Sequence, residues 1–163
     1  MPVDIKGKVA LITGGATGMG RAAALEFANL GAKVAVVTGH NVKGAEETVR
    51  MIQEQGGEAA FFQCNISKES DVEAMVAAVV AKWGAFNNAG VGPDGVRIPY
   101  GPLTELSEEI WDKVRNVNLK CTFFCLKHEI IQMRKQGKGA IVNNASIGGL
   151  KMAPNFGAYG PSK

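Results

Sequence analysis

Val9-Ala10-Leu11-Ile12 runs directly into Thr13-Gly14-Gly15-Ala16-Thr17-Gly18-Met19-Gly20, and an Ala-, Leu- and Phe-rich helical pattern follows at once. The four apolar residues predict a buried strand. Glycines at 14, 18 and 20 let the backbone turn tightly and bring its N–H groups against a phosphate at the N-terminus of the next helix. Taken alone the loop also suits any tight strand-to-helix turn, so its surroundings decide.

Those surroundings repeat one rhythm. An apolar run from Val9 to Ile12 precedes a helical stretch from Gly20 to Leu30, Val34 to Val37 precedes Gly44 to Gln55, and Ala59 to Gln63 precedes Asp71 to Trp83. Strands without polar alternation are buried on both faces, and strands joined through helices run parallel. The pattern therefore predicts an α/β fold, a three-layer doubly wound parallel sheet, in a single domain over residues 1–163. Gly31 is placed to end the first helix. A longer helical stretch from Ser107 to Arg134 carries Ile110, Trp111, Val114, Leu119, Phe123 and Phe124; Gly137-Lys138-Gly139 separates it from a further predicted strand, Ala140 to Val142.

Composition removes several function classes. With 46% hydrophobic and 20% charged residues the chain reads as one soluble domain rather than a disordered or fibrous one. A net charge of +3, with Lys113, Arg115 and Lys120 interleaved with Glu108, Glu109 and Asp112, gives no footprint for nucleic acid. The longest apolar run, Met75 to Ala81, is too short to span a bilayer, so no membrane is expected as a partner. Cys64, Cys121 and Cys125 are odd in number and have no metal-ligand spacing with His40 or His128; neither a disulfide framework nor a metal site is expected, and a reducing cytoplasm fits best. Cys121 and Cys125 share one helix face, as core residues do.

Four short segments add chemistry to the nucleotide cradle. Asn87-Asn88-Ala89-Gly90 stands where a strand ends and backbone must approach a ligand, although Asn/Gly turns are common there. Asn118 lies among apolar helix residues, where a buried amide needs partners. Ser146 follows Ile141-Val142-Asn143-Asn144-Ala145, at the carboxyl end of the predicted strand, where open α/β sheets place their sites; an N-cap serine is the plainer alternative. Tyr159 and Lys163 are four apart, so a helix beginning near Ala158 sets ammonium and phenol on one face, unless they are simply a solvated pair.

In this order the segments resemble the short-chain dehydrogenase/reductase family over essentially the whole chain. The resemblance implies a Rossmann-like fold, a nicotinamide dinucleotide cofactor, and hydride transfer between its ring and a small alcohol or carbonyl substrate. It makes Tyr159 the general acid/base, Lys163 the cation that favours the phenolate and holds the nicotinamide ribose, Ser146 the donor to the substrate oxygen, and Asn118 the holder of a relay water. The cofactor contacts it implies are Gly14, Thr17, Gly18, Met19 and Gly20 at the diphosphate, Gly39 and His40 at the adenosine ribose, Asn65 and Ile66 at the adenine, and Asn88, Ala89 and Gly90 beside them, with Tyr159 and Lys163 at the nicotinamide end. Where NAD-preferring relatives carry an acid, this chain has Gly39, and His40 stands where NADP-preferring relatives often carry arginine; NADP(H) is favoured over NAD(H). Asn65-Ile66 replaces the usual Asp-Val, keeping an acceptor and losing its charge. A homodimer or homotetramer is implied, paired through the helices carrying Asn118 and Tyr159.

The chain also departs from that pattern. Relatives continue beyond the position of Lys163 through two more strands, so a fragment, or the ordered part of a longer polypeptide, is expected, with the sheet lacking its last strands and Ala140 to Val142 left as an uncovered edge. Trp83-Gly84-Ala85-Phe86-Asn87 leaves too little chain for a strand, which predicts a truncated strand or residues missing between Gly84 and Ala85. Pro161 suits a first helical turn. A nucleotide-binding relative without turnover and an inactive fragment are the alternatives to an enzyme.

Overall fold

The three apolar runs become three parallel strands, β1 (Val9–Thr13), β2 (Lys33–Thr38) and β3 (Glu58–Gln63), ordered β1-β2-β3 with Leu11 beside Ala35 and Ala35 beside Ala60. A computed structural model describes residues 5–83, 101–151 and 153–163 of the chain. The predicted junction at Gly84-Ala85 and the Asn87–Gly90 segment, with Asn88, Ala89 and Gly90, lie outside the described residues.

Successive side chains of a strand point to opposite faces, and this alternation builds two cores. Ala10, Ile12, Val34, Val36 and Ala59 meet α1 (Gly18–Asn29) and α2 (Val42–Glu54) through Ala24, Ala45 and Ile52. Leu11, Ala35 and Val37 meet α3 (Glu69–Lys82) through Val72, Met75, Val76 and Val79, and α5 (Cys121–Gln136) through Phe124 and Cys125. The layers are therefore helix, sheet, helix, and β2 is fully buried from Val34 to Val37. Burying each Val, Leu or Ile contributes roughly 1.5–3 kcal/mol.

Helices α1 and α2 share one face because β1, β2 and β3 advance in one direction and parallel crossovers keep one hand. Helices α3 and α5 cover the opposite face, and the glycine loop leaves the carboxyl end of β1, the edge strand among the described residues. Open sheets of this kind bind ligands there, beyond the strands' carboxyl ends.

Two predictions are corrected in the second half. The long helix is not continuous α-helix: α4 (Glu108–Arg115) passes through a π turn, Asn116–Lys120, into α5, and the extra residue per turn brings Asn118 inside. Ala140 to Val142 is irregular backbone and Val142 is exposed, so the predicted strand is not formed. Strand backbone needs a neighbouring strand for its N–H and C=O groups, and the sheet among the described residues ends at β1. The segment after it is held by α4 instead. Gly101 bridges Phe156, and Ala158 packs beneath Val114 with Leu106, Ile110 and Trp111. Among the described residues no helix is long and apolar enough to cross a membrane.

Candidate functional site

The glycine loop leaves β1 and enters α1 with its ligand side open. Gly14 and Gly18 take φ of +69° and +55°, and no heavy atom stands within 4 Å of where a Cβ on either would lie. Both the left-handed backbone and the clear space are conditions for a ligand to approach main chain closely. Thr17 is the N-cap of α1 but its side chain makes no capping bond, so the first-turn amides keep their capacity for an anion. Gly20 serves packing: a Cβ there would come within 2.2 Å of the Gly14 carbonyl oxygen. Met19, 72% exposed, forms an apolar rim beside these amides. The residues present thus fit a diphosphate.

The loop is braced from behind by two residues that the sequence reading assigned no role. Arg21 Nη2 donates to the carbonyls of Ala16 (2.7 Å) and Gly44 (3.1 Å), and its Nε donates to Thr48 Oγ1 (3.0 Å). Thr48, buried on α2, reaches the Gly15 carbonyl at 3.0 Å.

Beyond β2, Gly39 lies against the loop that follows β3: its Cβ position is 3.2 Å from the Cys64 carbonyl oxygen, and its own carbonyl accepts from Gln63 Nε2 at 3.1 Å. His40 is exposed. Asn65 Oδ1 accepts from the amide and hydroxyl of Ser67 (3.2 and 2.7 Å), which shapes the entry to α3, while Ile66 packs partly into the core. Cys64 is no nucleophile here; burial first, then the charge of Asp71, pushes its thiol up to about 11.

The second group of residues converges around the C-terminal segment. Ser146 stands in no strand; it is the N-cap of a short 3-10 turn, Ile147–Gly149, with its Oγ accepting from Gly148 N at 3.1 Å. The space a Cβ on Gly148 would take is bounded by that same Oγ (3.3 Å) and by Tyr159 Cε1 (3.5 Å), so hydroxyl and phenol ring flank one glycine. Lys163 Nζ lies 5.7 Å from the Tyr159 ring centroid, a cation–π distance. The helix predicted near Ala158 is only a 3-10 turn, Gly160–Ser162, with Pro161 in its opening.

Asn118, 3% exposed, donates through Nδ2 to Ser162 Oγ (2.9 Å), and Ser162 Oγ donates to the Tyr159 carbonyl (2.7 Å). Asn118, expected from the sequence to hold a relay water, here makes a direct protein link through a serine that sequence reading passed over although it adjoins Lys163. The π turn makes this reach possible by turning Asn118 toward the segment rather than along the helix surface.

A family model described as short chain dehydrogenase matches residues 8–163. The chain is 42% identical to an uncharacterized oxidoreductase of Thermotoga maritima over 99% of its length and 62% of that protein's. It is 38% identical to a 2,5-dichloro-2,5-cyclohexadiene-1,4-diol dehydrogenase of Sphingobium indicum, covering 96% of this chain and 61% of the relative. The crystal structure of an NAD+-bound xylitol dehydrogenase superposes with a TM-score of 0.91 at 32% identity, over 99% of this chain and 61% of the other. The chain thus spans about three-fifths of the length of the relatives it matches.

Proposed function

Because the chain belongs to the short-chain dehydrogenase family, we propose that it serves an NAD(P)-dependent oxidoreductase reaction interconverting a small alcohol and its carbonyl compound. The observation that carries the reading is the placing of Ser146 and Tyr159 on either side of Gly148, with Lys163 over the Tyr159 ring and Asn118 tied to the same segment. A bound nicotinamide dinucleotide supplies the hydride acceptor or donor. Tyr159 Oη takes the hydroxyl proton when an alcohol is oxidised and returns it when a carbonyl is reduced. Lys163 Nζ balances the charge that develops on that oxygen, and Ser146 Oγ orients the substrate oxygen. Gly14, Thr17, Gly18, Met19 and Gly20 hold the diphosphate, and Gly39, His40, Asn65 and Ile66, with Asn88, Ala89 and Gly90, the adenosine side.

The absence of a carboxylate at Gly39 supports NADP(H) over NAD(H), although the xylitol dehydrogenase neighbour is an NAD+ complex. The names of the relatives, a cyclohexanol dehydrogenase of Acinetobacter among them, support a small alcohol or ketone as substrate. Three buried cysteines, none of them in a disulfide, agree with a cytoplasmic setting. Following nicotinamide absorbance across an alcohol and ketone panel tests the reading. Tyr159→Phe is expected to lower turnover roughly a hundredfold to ten-thousandfold while sparing dinucleotide binding; unchanged turnover removes the assignment.

A further inference from the structure

We propose that Arg21 and Thr48 are positioning residues that aim the glycine loop's amides at the diphosphate, a role resting on the dinucleotide reading above. Thr48 Oγ1 lies 3.0 Å from the Gly15 carbonyl and 2.9 Å from the Gly44 carbonyl, yet a hydroxyl has a single hydrogen to give. Arg21 Nη2 already serves Gly44 O, and Arg21 Nε fills the acceptor side of the same hydroxyl. The hydroxyl hydrogen is therefore directed to Gly15 O, while Arg21 Nη2 also takes Ala16 O.

Two consecutive carbonyls of the loop are thus held inward, toward α2. Every peptide bond here is trans, and in a trans peptide the N–H points opposite to the C=O of the same unit. Holding the carbonyls of Gly15 and Ala16 inward consequently turns the N–H groups of Ala16 and Thr17 outward, toward the open side marked by Gly14 and Gly18. The clamp also joins the two cofactor regions, because Gly44 belongs to the first turn of α2, whose N-cap Asn41 follows His40.

The test compares ADP with adenosine as probes on the intact chain, by calorimetry, beside thermal melting. Thr48→Val keeps the side-chain shape and removes the hydroxyl; it is expected to weaken ADP binding about tenfold or more while adenosine binding changes little. Thr48→Ser restores ADP binding, and Arg21→Lys, unable to span three acceptors, does not. Equal loss of ADP and adenosine, or ADP binding unaffected in Thr48→Val and Arg21→Lys, overturns the clamp alone. Failure of the unaltered chain to bind ADP, NADP(H) or NAD(H) overturns the dinucleotide reading and the clamp with it.

Discussion

A methyl group at position 20 would stand 2.2 Å from the Gly14 carbonyl oxygen, against main chain that has no flexible end to move aside. Gly20→Ala is accordingly expected to destabilise the fold by more than about 1 kcal/mol, read from urea unfolding, with the loop displaced. His40 offers a different single-residue experiment. It is exposed at the end of β2, so replacing it costs the core nothing. A guanidinium there can make charge-assisted bonds to a 2′-phosphate, and His40→Arg should tighten NADP(H) about tenfold or more and leave NAD(H) nearly unchanged. Equal gains for both would mean that His40 does not face the adenosine ribose. At this scale the sequence was legible wherever a residue type is forced by its backbone, as at Gly14, Gly18 and Gly20. It was silent on Ser162 and Arg21, whose importance lies in partners far along the chain.

Element against element, α3 and α5 are joined at one end by Glu69, which accepts from Lys127 Nζ at 2.6 Å and lies 3.4 Å from His128 Nε2. The Lys127 hydrogen bond, with His128 adding to it, holds the Glu69 carboxyl below the ordinary glutamate range. A carboxyl depressed in the folded state contributes stability that is complete above its unfolded value and is lost as pH falls through the folded one. Acidification below the usual glutamate range should therefore weaken the native state through this contact, and Glu69→Gln should show a shallower acid-side decline in urea midpoint. Identical pH profiles would show that the pair contributes nothing, as exposed ion pairs sometimes do. The elements from β1 through α3, and the extent of the long helix, followed from apolar runs and helical periodicity with ends shifted by a residue or two, whereas the strand at Ala140 to Val142 did not. The π turn at Asn116–Lys120 did not, because the same apolar pattern is compatible with an uninterrupted helix.

Across the whole molecule, α5 and the π turn before it carry apolar side chains both inward and outward. Phe124 and Cys125 pack on the sheet, whereas Leu119, Phe123 and Ile130 are 51%, 58% and 46% exposed. Their spacing sets them along one side of the helix, where the resemblance to relatives implies a second copy of the chain. Phe123→Glu is expected to shift sedimentation toward the monomer without lowering the melting temperature of the protomer; a wild-type monomer would remove the pairing.

The order of βα units, the glycine loop and the family could be read from residue order alone, since these depend on neighbours within a few positions. Which helices share a face, that Ala140 to Val142 forms no strand, and which partners Arg21 and Ser162 take came from the folded chain alone. The partners of Arg21 and Ser162 lie far along the chain, 27 positions for Arg21 with Thr48 and 44 for Asn118 with Ser162, a separation that no local pattern encodes. A strand likewise exists only when another backbone is alongside to pair with it.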